Sequence, residues 1–559
     1  MYLVLIETSG NQNFIFSTNK LRENIGASEL TYRACTRWVL EAVAQVNNSR
    51  GISLWTTDGR QLGRNLFNKQ LNQQIESANN RVEVIIATSG KALLIAKDEE
   101  TAKTLIRYVT KKAVIEAPGL EICGVFQEFN WEEDLIGKVN SEVHQKYELV
   151  RSQKPSNNLR FTRLPVITDC ATSGLPAGEL FPNPEPNEKP ISTSAVSAAK
   201  QRCSEGASNR MIALLEGGDR FSEDIDDIKS DWIAIIHADG NGLGEIFLKF
   251  HEHISADRPN KNRDYIDKLR KFSLCLDICT ERAFNTALDQ IKPFIEINNN
   301  LIPLVPLVLG GDDLTVVCDG KFALKFTQEF LKAFEQETAS ITHYEGIIPE
   351  IAKTALKVGR LSACAGIAII KPHFPFSVGY DLSEALMKSA KKIKKIVVND
   401  AEKPYPCSSL DFHVLYDSSN VNFEKIRGKL HLDGGKTQLY VRPYVVTEIN
   451  NLSNAKQGLE WANFHHWQKL ENSVKVLVDK DLEGRRKLPN SQMHDLRESL
   501  FLGKNAADGK FQLICDRYHD NGISQLAGDE NSLFSLEPDL GIYKTILLDA
   551  IEAADFLIV

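Results

Sequence analysis

The tetrapeptide Gly310-Gly311-Asp312-Asp313 constrains this chain more than any other feature. Apolar runs flank it on both sides, LIPLVPLVL before and LTVVC after. Such runs read as buried strands, with the tetrapeptide as the hairpin turn between them. The two glycines permit a tight reversal and close approach of a ligand to the backbone. The two acids then stand at the hairpin tip as hard oxygen donors for a divalent cation. An ordinary surface turn would use the same residue types. Gly217-Gly218-Asp219-Arg220, a near match in a loop with no flanking strands, reads as one.

A third acid fits the same pattern. Asp239 ends the strand-like run Trp232–Ala238 and is followed by Gly240-Asn241-Gly242-Leu243-Gly244. Placed beside the hairpin, it gathers Asp239, Asp312 and Asp313 around one or two Mg²⁺ (or Mn²⁺) ions. Such a site neutralises triphosphate charge and activates a 3′-hydroxyl for in-line attack.

The unit is repeated within the chain. Tyr2–Gly10 aligns with Trp232–Gly240, and Ser89–Ile95 with Gly310–Val316, in the same order and at nearly the same spacing. In this alignment Ser9 corresponds to Asp239, Lys91 to Asp312 and Ala92 to Asp313, so the first unit lacks all three acids. One unit is then competent for chemistry. The other can only line a nucleotide pocket or act as a structural partner.

A chain of 559 residues suits three or four domains. Its net charge of −8 argues against salt-driven nucleic-acid binding by the chain alone, and no stand-alone DNA binding is expected. The apolar runs, Leu301–Leu309 among the longest, fall far short of the roughly 18 residues of a membrane helix, so no membrane partner is expected. The N-terminal MYLVLIETSG lacks the basic region of a signal peptide. Ten scattered cysteines without a CxxC pair read as reduced thiols in a cytoplasmic protein.

Strand and helix signals alternate over 1–150, with Ser17, Thr18 and Asn19 offered as caps for a helix beginning near Leu21. Residues 151–230, with the Pro- and Asn-rich LFPNPEPNEKPISTS, read as a linker or insertion. Alternation resumes over 231–447, and amphipathic helical patterns dominate 448–559. The fold class expected is α/β (α+β): two palm-like units, a linker module and a C-terminal helical domain.

These residues together resemble the large, polymerase-like subunit of type III CRISPR effector complexes. That family has two ferredoxin-like, nucleotide-cyclase-like palm domains, the second bearing Gly-Gly-Asp-Asp. Five segments carry the resemblance: the first strand with the following Thr18–Leu30, the degenerate turn Ser89-Gly90-Lys91, Asp239–Gly244, Gly310–Asp313, and Ser362–Ile369 with His373-Phe-Pro and Ala385–Lys392. The resemblance implies that Asp239, Asp312 and Asp313 hold Mg²⁺ and are catalytic. It also places Gly240, Asn241, Gly310, Gly311 and Lys391 at the bound nucleotide. It implies conversion of ATP to cyclic oligoadenylate in antiviral defence, beside other effector subunits with guide RNA and target RNA.

The chain departs from the family in three places. The first palm strand is expected to begin at residue 2, so the N-terminal HD nuclease domain of many members is not expected here. The segment Thr168–Gly174 has one cysteine, Cys170, too few for the zinc module that many members carry, and reads as a metal-free remnant. Asn241 stands where many members have a second acid. Two other readings compete: a stand-alone nucleotide cyclase, and a catalytically weak scaffold subunit of an RNA-guided complex. The dipeptides His494-Asp495 and His519-Asp520 are assigned to the solvated surface, and His465-His466-Trp467 to packing.

Overall fold

The computed structural model describes residues 1–48, 54–153, 161, 163–182, 189–215, 219–254, 261–295, 300–399, 403–416, 422–518, 522–529, 531–537 and 540–558. Gly217, Gly218, His519 and Asp520 lie outside the described residues.

Two sheets share one plan. The first unit runs β1 (Tyr2–Ser9), α1 (Leu21–Cys35), β2 (Val82–Thr88), β3 (Lys91–Ala96), α2 (Glu99–Glu116), β4 (Glu121–Glu128) and α3 (Ile136–Ser152). Its sheet order is β2-β3-β1-β4, all antiparallel. After the inserted helix α4 (Ala195–Ile212), the second unit runs β5 (Ile233–Gly240), α5 (Lys261–Ile291), β6 (Leu304–Gly310), β7 (Asp313–Asp319), α6 (Gly320–Ala339), β8 (Ala363–Ile370) and α7 (Phe376–Ala390). Its order, β6-β7-β5-β8, repeats the first. Two further strands, β9 (Ser409–Val414) and β10 (Tyr444–Val445), extend that sheet beyond β8, with β8 and β9 parallel. Each unit is thus the strand–helix–strand–strand–helix–strand arrangement of a ferredoxin-like palm, as the sequence predicts.

The sequence accounts for these strands. Ile233–Ile236 of β5 are each at most 1% exposed, which fits a central strand covered on both faces. Burying one such isoleucine fully contributes about 1.5–3 kcal/mol, which anchors β5 up to its Asp239-Gly240 end. Pro306 is tolerated because β6 is the edge strand, and a bulge between Pro306 and Val308 relieves the ladder there.

The palms face each other through α1, α5 and α7. Phe16 stacks on Tyr380 of α7 at 3.9 Å between ring centroids. Ser28 of α1 donates to the Leu307 carbonyl of the edge strand. Asn19 does not cap its own helix, which begins after Lys20 without a side-chain cap. Its Oδ1 accepts from the Phe376 N–H at 2.8 Å, so it serves the first turn of α7 across the palm interface.

Two expected boundaries are softer than the composition implies. The inserted region is not only a loop, because α4 packs along α1. At the other end, a four-stranded sheet joins 431–432 and 437–438 to 535–536 and 543–544, across the expected boundary at 447. Asp549 also accepts hydrogen bonds from Val441 N–H, Arg442 N–H and the Tyr444 hydroxyl.

Candidate metal and nucleotide site

The ends of β5 and β7 meet where the β6–β7 hairpin turns. Gly310 pairs with Asp313 to close that hairpin, leaving Gly311 and Asp312 as its two-residue turn. Gly311 takes a φ of +61°, which glycine adopts without steric cost. On the neighbouring strand Ala238 pairs with Leu314, so the ladder carried one residue on sets Asp239 across from Asp313. One ligand oxygen from each of Asp239, Asp312 and Asp313 lies within 4.8 Å of the other two. Among the described residues this is the one cluster of three acid, histidine or cysteine ligands at metal-binding spacing.

Gly240 makes the cluster possible. A Cβ there would stand 2.7 Å from Asp312 Oδ2 and 2.8 Å from Asp312 Cβ. Burial raises the pKa of Asp312 above the ordinary carboxylate range. Asp313 is solvent-exposed as a residue, yet the crowding around its carboxylate, and next the charge of Asp312, push its pKa up as well. Adjacent acids that resist losing both protons create a demand for a cation. Hard oxygen donors at this separation fit Mg²⁺ or Mn²⁺ better than a softer metal.

Lys391 opens the short helical turn Lys391–Lys395 after α7 and forms an ion pair with Asp239 through its Nζ. Burial, with a contribution from the Lys394 charge, lowers its pKa to about 8. The structure therefore brings Lys391 to the acid cluster. Gly240, Gly310 and Gly311 line the same hairpin end. Asn241 is used differently. It is buried, and its amide nitrogen donates to Ser362 Oγ at 3.1 Å and the Cys407 carbonyl at 3.2 Å. Its backbone N–H donates to the Ser362 carbonyl at 2.8 Å, closing the β5–β8 ladder one residue beyond the Gly240–Ala363 pair. Asn241 thus ties the end of β5 to the chain beside it.

The first palm shows what replaces the acids. Both hairpins have a bulge, between Val84 and Ile86 in one and between Pro306 and Val308 in the other. They close on Thr88–Lys91 and Gly310–Asp313 respectively. Superposed on these features, Lys91 corresponds to Asp313 and Gly90 to Asp312. Glu7, which pairs with Lys91 in the β1–β3 ladder, corresponds to Asp239. This corrects the sequence alignment, which set Ser9, Lys91 and Ala92 against the three acids. One carboxylate survives in the first palm, and it is neutralised internally: Lys91 Nζ lies 3.5 Å from Glu7 Oε2. The same amine lies 2.8 Å from His144 Nε2, whose Nδ1 meets the Asn140 carbonyl at 2.7 Å. Burial, and then the Lys91 charge, lower the His144 pKa to about 4, so the neutral ring accepts from the lysine.

Sequence reasoning also missed Asp277 and Thr280 of α5. Asp277 accepts from the Gly311 N–H, and the Thr280 hydroxyl donates to the Gly311 carbonyl. Their spacing of three on a helix was the only signal, and it names no partner 31 or more residues away. The remaining candidates are structural. Cys170 is buried beside the hydroxyls of Thr172 and Ser197. His465 is 1% exposed, stacked on Trp461 and 2.9 Å from Glu537. Asp495 forms a surface ion pair with Lys510.

Residues 232–397 match the family model for the Cas10/Cmr2 second palm domain. No curated protein matches the chain at the sequence level. Among solved structures, a chain of a type III-B Cmr-beta complex in the apo state aligns with a TM-score of 0.50 and 10% identity, over 98% of this chain and 81% of that one. Csm1 from T. onnurineus aligns with a TM-score of 0.47 and 14% identity, over 95% of this chain and 65% of that one. A Csm1–Csm4 cassette in complex with cA4 aligns with a TM-score of 0.46 and 13% identity, over 94% of this chain and 64% of the other. The chain thus spans a little under two thirds of the length of these Csm1-type chains. No helix among the described residues is long and apolar enough to cross a membrane. Residues 232–397, which carry the three gathered acids, are thus similar to a Cas10/Cmr2 second palm domain.

Proposed function

We propose that the chain is a nucleotidyltransferase that joins ATP molecules and closes the product into a cyclic oligoadenylate. We propose further that it works beside other type III effector subunits, with guide RNA and target RNA. The convergence of Asp239, Asp312 and Asp313 at one hairpin end carries this reading. The match of residues 232–397 to a Cas10/Cmr2 palm supports it.

The donor set fits Mg²⁺ or Mn²⁺, held by Asp239, Asp312 and Asp313. Bound there, the metal would supply charge neutralisation of the triphosphate and acidify a coordinated hydroxyl. The chain's own groups do the rest. Gly240 leaves room for the Asp312 side chain, while Gly311, with nothing within 4 Å of an added Cβ, leaves the backbone of the turn open to phosphate oxygens. Lys391, mostly protonated at neutral pH with its pKa near 8, offers an ammonium to the phosphates from the Asp239 side. In the reaction a ribose 3′-hydroxyl attacks an α-phosphorus. The new P–O bond replaces the bond to pyrophosphate, and the hydroxyl proton leaves to solvent. Preorganised charge at the phosphates is the main source of rate acceleration in such a site.

The test is to incubate the purified chain with ATP and Mg²⁺ or Mn²⁺, alone and with complex partners and target RNA, and to resolve products by mass. Oligoadenylate that disappears in the Asp312→Ala/Asp313→Ala double variant is expected. No oligoadenylate under any condition, or the same yield from the double variant, would overturn the proposal.

A further inference from the structure

Helix α5 holds the acid-bearing turn from behind. The β6–β7 ladder ends at the Gly310–Asp313 pair, so the peptide groups of Gly311 have no partner within the ladder. Glycine is the residue that admits the turn's left-handed φ, and it is also the least stiff residue that could stand there. The structure removes that freedom from outside the hairpin. The Gly311 N–H donates to Asp277 Oδ1, and the Gly311 carbonyl accepts from Thr280 Oγ1. Both peptide groups of one residue are therefore fixed, by side chains three apart on one helical face. Thr280 is fully buried.

The helix that carries this clamp is itself anchored to the first palm on both sides of it. Upstream, Arg270 Nη2 lies 2.6 Å from Glu83 Oε1 and 2.8 Å from the Val84 carbonyl of β2. Downstream, Glu281 Oε1 lies 2.8 Å from Arg60 Nη2. Asp312 follows Gly311 directly, so the direction of its carboxylate depends on the backbone that the clamp fixes.

We infer that Asp277 and Thr280 are positioning residues that aim the Asp312 and Asp313 carboxylates. The inference rests on reading those acids as a metal site. Groups that orient metal ligands typically change metal affinity by about 10–100-fold when removed.

The experiment titrates the full chain with Mn²⁺, following free Mn²⁺ by electron paramagnetic resonance, and measures kcat and KM for ATP in parallel. Asp277→Leu and Thr280→Val should each weaken Mn²⁺ binding about tenfold or more and lower kcat while leaving KM near its original value. Asp277→Asn and Thr280→Ser, which keep an acceptor and a hydroxyl, should restore most of the loss. Thermal unfolding reports whether each variant folds. If Asp277→Leu does not, the nearly isosteric Thr280→Val carries the test. Folded leucine and valine variants with unaltered Mn²⁺ affinity would overturn the inference, provided the Asp312→Ala/Asp313→Ala chain has lost binding. An original chain that binds no Mn²⁺, or binds it equally without the two acids, would overturn the metal reading and this inference together.

Discussion

Gly240→Ala is a one-carbon perturbation aimed at the acid cluster. The backbone φ of Gly240 lies outside the left-handed region, so alanine meets no backbone strain there. The added carbon would instead lie 2.3 Å from Leu243 Cδ1, 2.7 Å from Asp312 Oδ2 and 2.8 Å from Asp312 Cβ. Leu243 can turn its methyl away, but the Asp312 Cβ is tied to the hairpin backbone. Carbon atoms rest at about 3.5–4.0 Å, so Asp312 must retreat by about 0.7–1.2 Å. A misplacement of about 1 Å at a reacting centre costs roughly a hundredfold in rate. Overpacking of this kind costs about 1–3 kcal/mol in stability. Gly244→Ala is the matched control: nothing lies within 4 Å of its added carbon, and it sits in the short helix Leu243–Leu248. There alanine should stabilise by about 0.5–1 kcal/mol. The assay combines thermal unfolding, Mn²⁺ titration and ATP turnover. A folded Gly240→Ala chain with unchanged Mn²⁺ affinity and turnover would refute the claim that Gly240 sets the position of Asp312.

Three further outcomes follow from named contacts. Lys391→Ala removes the ammonium paired with Asp239, so Mn²⁺ affinity of the nucleotide-free chain should rise about two- to fivefold while KM for ATP increases; unchanged values in both titrations would contradict the pairing. Burial would raise the pKa of Glu83, but Arg263 and Arg270 outweigh it and hold the carboxyl below its ordinary range. The folded value is the lower one, so this pairing stabilises fully above about pH 4.3 and is lost as pH falls through the folded value. Glu83→Gln should therefore cost about 3–5 kcal/mol at pH 7, with the difference in melting temperature shrinking in acid; a constant difference across pH would contradict it. Asn241→Ala should lose about 1–3 kcal/mol of stability with KM for ATP little changed, because its amide bonds to Ser362 and Cys407. A large KM effect with full stability would instead make Asn241 a nucleotide contact.

Much of the fold was legible because local chemistry and tertiary role agree. Turn residues between two apolar runs specify a hairpin, and a strand that ends on an acid aims that acid at the same sheet end. The duplication was legible for the same reason, since the four-strand order of the first sheet recurs within the second. The residue-level correspondence was not. A bulge in each hairpin shifts the ladder without leaving a mark in composition, and only the register shows that Glu7 corresponds to Asp239. Asn19 resembles an N-cap in sequence, yet its acceptor serves Phe376 more than 350 residues away. Asp277 and Thr280 illustrate the same limit: a polar pair on a long amphipathic helix has no periodicity to distinguish it. The small C-terminal sheet escaped notice because its strands are two residues long, too short for alternation to register.

Anomalous diffraction from crystals grown with Mn²⁺ tests the central claim most directly. The account predicts a peak at the hairpin end, about 2.0–2.2 Å from carboxylate oxygens of Asp239, Asp312 and Asp313, with the Lys391 amine displaced from Asp239. A peak bound by other residues, or none at saturating Mn²⁺ with the Lys391–Asp239 pair intact, would contradict it.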